Sequence, residues 1–98
     1  MVTKENLSEA RFAITMEWGD AGGNVVKACE ESKPFGGTFK KFLDNCTACG
    51  GNWGGMLLSG IKARFPKVYD AIPDKMGSKA FIMLCYTLQL LGVDTSGE

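Results

Sequence analysis

Ser78-Lys-Ala-Phe-Ile-Met-Leu-Cys-Tyr-Thr-Leu-Gln-Leu-Leu-Gly-Val93 is the stretch on which the fold turns. Ser78 is a helix-capping residue, and a helix from Lys79 to Leu91 would carry Ala80, Phe81, Ile82, Met83, Leu84, Cys85, Leu88, Leu90 and Leu91. A helix apolar nearly all round is either the buried centre of a domain or is covered on one side by a partner. Gly92-Val93 fits a Schellman end, with Val93 touching back on the last turn. Membrane crossing needs about 20 apolar residues in a row, and this run is too short and too interrupted. The tail Asp94–Glu98 is polar and is expected to be loose.

Working outward, the next organised stretch is Cys46-Thr-Ala-Cys-Gly-Gly-Asn-Trp-Gly-Gly-Met-Leu-Leu-Ser-Gly-Ile-Lys-Ala-Arg-Phe-Pro66. It predicts a glycine-bearing corner, capped by Gly51 or Asn52, that feeds a second apolar helix. Leu57, Leu58, Ile61 and Phe65 form its stripe, with Trp53 one turn earlier. Gly55, Ser59 and Gly60 leave a face without bulk. Each glycine inside a helix costs about 1 kcal/mol relative to alanine, so close helix approach is the expected compensation. Lys62 and Arg64 complement the helix dipole in the last turn, and Pro66 ends the helix. Val68, Tyr69 and Ile72 face inward on one or two further turns before Pro73-Asp74.

Upstream, Thr38 caps a helix whose core face is Phe39, Phe42, Leu43 and Cys46, and Phe35 is placed to fold over it. Asn6-Leu-Ser-Glu9 has the form of a capping box. Leu7, Ala10, Ile14 and Trp18 then fall on one face, with Phe12 and Met16 widening the apolar side. Gly19-Asp-Ala-Gly-Gly23 reads as a break, and Asn24 as the cap of a short helix through Glu31 with Val25, Val26 and Cys29 on its apolar edge. Ser32-Lys-Pro34 ends it. The sum is an all-α, compact single domain over residues 1–98, with about five short helices around a buried C-terminal helix.

A chain of 98 residues, 45% apolar, is long enough for one modest core. There is no signal-peptide pattern at Met1-Val-Thr-Lys, which predicts a cytoplasmic setting with reduced thiols. Net charge is zero but uneven. Residues 1–32 hold three basic and six acidic side chains, residues 33–79 eight basic and three acidic, and residues 80–98 two acidic. This is far from the strongly basic balance of nucleic-acid binders; a solvated surface accounts for most of it.

The chemical motifs are few. With no histidine, the usual Cys–His and Ser–His pairs are excluded. Cys46-Thr-Ala-Cys49 has knuckle spacing, but zinc would require Cys29, Cys46, Cys49 and Cys85 to converge from separate elements. As a redox pair, Cys46 would close a helix, at the end that disfavours a thiolate. Core thiols are the plainer reading. Gly50-Gly-Asn-Trp-Gly-Gly55 lacks the Lys-Ser/Thr of a phosphate loop and reads as a tight corner. Asp70 and Asp74 read as turn and cap residues.

The expectation is therefore a small non-catalytic protein–protein interaction module, of adaptor or inhibitor type, with no cofactor and no membrane contact. Its partner is another protein or a second copy. Trp53, Tyr69 and Met83 are the expected exposed anchors, with Lys62, Arg64 and Lys67 as the densest basic group. Two other readings are a cysteine-based zinc or redox protein and a binder of nucleic acid, or of a nucleic-acid enzyme, through the basic middle.

Overall fold

The computed structural model describes residues 3–44, 53–73 and 80–95, with side chains of 3–44, 57–73 and 82–95. The expected cap at Gly51 or Asn52 and the Cys46–Cys49 pair lie outside these residues, as do the side chains of Trp53 and Gly55. Six helices are described: α1 (Lys4–Trp18), α2 (Asp20–Glu31), α3 (Phe39–Asp44), α4 (Trp53–Arg64), α5 (Pro66–Ala71) and α6 (Ala80–Leu90). The all-α single domain of the sequence reading is what is seen.

α6 packs on α1, α2 and α4, as its apolar pattern requires. Met83, Leu84, Thr87, Leu88 and Leu91 are buried along its inward face. Thr87, a polar side chain within the core, donates its hydroxyl to the Met83 carbonyl at 2.8 Å, so its burial leaves no unmet donor. The helix ends as a Schellman motif: the Gly92 N–H donates to the Gln89 carbonyl and the Val93 N–H to the Leu88 carbonyl. Gly92 supplies the positive φ of 82° that this turn requires.

The following segment departs from the expected loose tail. The Asp94 N–H donates to the Gly37 carbonyl at 2.8 Å, and the Phe39 N–H donates to the Asp94 carbonyl at 2.9 Å. Asp94 thereby pairs in parallel with Thr38 and ties the exit of α6 to the start of α3. Thr38 caps α3 as expected, accepting from the Lys41 N–H.

The N-terminal half differs from its pattern in three ways. α1 starts earlier: Thr3 is the N-cap and Asn6 closes the capping box from the third helical position. Second, Phe12 and Met16 do not widen the core. Ala10 and Ile14 are buried, and Phe12 lies two residues from each, which places it nearly opposite on the helix. Phe12 and Met16 are both 69% exposed. Third, the expected glycine break is a single residue. Gly19, at φ 58° and ψ −128°, is the only residue between α1 and α2, and Gly22 and Gly23 are already helical. A Cβ on Gly22 would collide with the Ile14 carbonyl oxygen, so the glycine marks the close crossing of α1 and α2 rather than a loop. An exposed Arg11–Glu30 ion pair at 3.2 Å spans the same two helices.

Candidate functional site

α4 and α5 are separated by Phe65 alone, and that one residue builds the corner around which the expected surface residues gather. Its backbone leaves helical geometry at φ −134°, ψ 66°, as the clash with the following proline demands. Pro66 then occupies the first turn of α5, where its missing N–H is harmless. Phe65 is buried and stacks on Phe42 of α3, with ring centroids 6.2 Å apart and planes 9° apart. Phe42 in turn meets Phe35 edge-on at 5.4 Å, so Phe35 does fold over α3. Three rings from three segments thus fix where the corner sits.

The charged side chains stand on this aromatic base. The Arg64 guanidinium carbon lies 5.2 Å from the Phe35 ring centroid. The Lys62 ammonium lies 5.5 Å from that of Tyr69, reaching across the corner from α4 to α5. Both are cation–π distances. Between the end of α2 and the corner opens a cleft of about 370 Å³. Lys33, Arg64 and Lys67 line it, together with Pro34, Phe35, Pro66 and the carboxylate-bearing Glu31. Lys33, Arg64 and Lys67 are exposed, and among the described residues none of them forms an ion pair. A cleft with three cations against one carboxylate and a partly apolar lining suits an anionic group attached to an apolar one.

Of the residues singled out in the sequence, Arg64 and Lys67 line this cleft, while Lys62 and Tyr69 meet each other across the corner. Met83 is not: it is only 6% exposed, on the inward face of α6, and it is core rather than an anchor. Trp53 lies at the start of α4, with its side chain outside the described residues. Sequence reasoning missed Lys33, Pro34 and Phe35 as walls of the cleft. The Ser32-Lys33-Pro34 helix stop was the available signal, because it brings a cation and an aromatic out of α2 together.

The cysteines have a different setting. Cys29 is buried on α2, and burial, with Glu30 beside it, pushes its thiol up to about 12. Cys85 is half-buried, and burial raises its thiol as well. Thiols held protonated are poor metal ligands and poor nucleophiles at neutral pH. Cys46 and Cys49 lie outside the described residues. Among the described residues no three Cys, Asp or Glu side chains gather as a metal site would need.

A larger groove of about 530 Å³ runs between Leu7, Pro34, Leu90 and Gly92. Its walls are mostly glycine and apolar carbon, and the backbone of Asp94 at its edge is already paired with Gly37 and Phe39. No convergent charge or donor set marks it. No helix among the described residues is long and apolar enough to cross a membrane. In comparisons with models of protein families, with characterised proteins and with solved structures, the chain has no significant match.

Proposed function

We propose that this protein is a small non-catalytic binding module that recognises an acidic, partly apolar segment of a protein partner at the α4–α5 corner. The observation that carries the reading is the convergence of Lys33, Arg64 and Lys67, without ion pairs among the described residues, on a cleft floored by Phe35. Arg64 already rests over the Phe35 ring, which reduces the freedom it loses when a carboxylate docks. Glu31 on the rim opposes a uniformly negative ligand such as a nucleic-acid backbone and favours a segment whose charges are spaced.

The test is a titration of the protein with a fluorescent peptide of alternating glutamate and leucine, beside a single-stranded oligonucleotide. Binding of the peptide that weakens in Lys67→Glu and Arg64→Gln is expected. Salt should weaken it as it does any exposed charge contact. Oligonucleotide binding with a steep salt dependence, and no peptide binding, would replace the reading with a nucleic-acid one.

A further inference from the structure

The outward face of α1 carries a second surface. Glu5, Glu9, Phe12 and Met16 follow one another at i, i+4, i+7 and i+11, which places them on one side of the helix. All four are exposed. The inward side of the same helix is held against α2 and α6 by Ala10 and Ile14. Among the described residues α1 makes no contact with α4 or α5. Among the described residues the stripe forms no ion pair with Lys33, Arg64 or Lys67 of its own molecule.

The two surfaces match in chemistry. The stripe offers two carboxylates and, one turn on, two large apolar side chains. The cleft offers three cations and, between them, Pro34, Pro66 and the Phe35 ring. A phenylalanine or a methionine sits well against proline and aromatic carbon, and the sulfur of Met16 adds a favourable ring contact. The carboxylates would meet Arg64 and Lys67, which form no ion pair among the described residues and which, with Lys33, outnumber the one carboxylate of the cleft, Glu31. The chain as a whole is neutral, so copies do not repel one another.

We infer that the acidic segment recognised at the corner is the α1 stripe of a second copy, so that the molecule associates head to tail. This rests on the reading of the corner as an acid-binding cleft. Because the contact joins two different surfaces, each bound pair leaves one stripe and one cleft unused. Such a contact builds rings or open chains rather than a closed two-fold dimer. It would be weakened by salt, since the charges at its edge are exposed.

Two variants separate the outcomes. Glu9→Lys with Phe12→Ser disables the stripe, and Arg64→Glu with Lys67→Glu disables the cleft. All four positions are exposed, so both variants should keep the wild-type circular dichroism; the stripe variant should also keep the melting curve, and the cleft variant should melt a few degrees lower through loss of the Arg64–Phe35 contact. In sedimentation equilibrium the wild type should grow in mass with concentration and each variant alone should stay monomeric. Mixed, the two variants should form a species of twice the monomer mass, because one intact stripe meets one intact cleft. A monomeric mixture, a monomeric wild type, or a variant that still associates by itself overturns the inference. In any of these cases, binding of the glutamate–leucine peptide by the wild type would leave the corner reading standing, and its absence would end both.

Discussion

Arg64 lies with its guanidinium 5.2 Å from the centre of the Phe35 ring, joining the last turn of α4 to the segment that leaves α2. A planar cation over a ring contributes about 0.5–1 kcal/mol at an exposed site. A double-mutant cycle with Arg64→Gln and Phe35→Leu should return a coupling of about that size in thermal or urea unfolding. Arg64→Lys should keep the charge and lose part of the coupling, because an ammonium does not stack as a planar fork does. A coupling indistinguishable from zero would mean that the ring does not hold the side chain.

Two adjacent glycines should respond in opposite directions. Gly22 faces the Ile14 backbone, and an added methyl collides with its carbonyl. Gly22→Ala should therefore lower stability by about 1–3 kcal/mol, the usual cost of overpacking. Gly23 is exposed, with nothing near an added Cβ, so Gly23→Ala should raise stability by about 0.5–1 kcal/mol through helix propensity. Chemical denaturation of the two variants side by side checks both signs. Equal effects would place the α1–α2 crossing elsewhere.

Much of the architecture was legible because its determinants are local. The Gly92-Val93 ending, the Thr38 cap and the Phe39–Phe42 face each depend on residues a few positions apart, and each is found. What was not legible depends on distant partners. Gly22 looks like a loop residue until Ile14 is known to cross it. Asp94 looks like a free tail until its amide and carbonyl find Gly37 and Phe39. Phe12 looks like core until Ala10 and Ile14 are seen to hold the inward side of the helix. At the candidate site, Lys62, Arg64 and Lys67 were conspicuous as neighbours in the chain. Their setting was hidden because Lys33 and Phe35 come from the other side of α3.

The stripe on α1 should be dispensable for folding. Phe12 and Met16 are largely exposed, so Phe12→Ser and Met16→Ser should each change stability by no more than about 0.5 kcal/mol. Ile14→Ala, on the buried side of the same helix, should cost about 2–5 kcal/mol. Melting curves of the three variants make the comparison. A large loss in Phe12→Ser would show that this side chain is buried in solution.

Alkaline pH should destabilise the fold through Cys29. Its thiol is raised from 9.0 to about 12 by burial and by Glu30, so the folded state keeps a proton that the unfolded state releases. The associated stability is complete below pH 9.0 and is lost as pH rises toward about 12. The slope in that window is about −1.4 kcal/mol per pH unit. Lysines and tyrosines titrate there as well, so the quantity to measure is the difference between wild type and Cys29→Ala. That difference should be constant up to about the free-thiol value and then shrink with roughly the same slope as pH rises above it. A constant difference would mean that Cys29 is accessible to hydroxide.

α6 rests on α1, so the first and last helices of the fold complete one another. During synthesis, α1 and α2 emerge with Ile14 and Val25 belonging to a core whose later members, on α5 and α6, are still to be made. Helical hairpins near the start of a chain can begin to order while translation continues. Here that early pair is completed in two stages, α5 covering part of α2 and α6 then covering both. The arrival of α6, rather than formation of the first helices, sets the moment at which the interior closes.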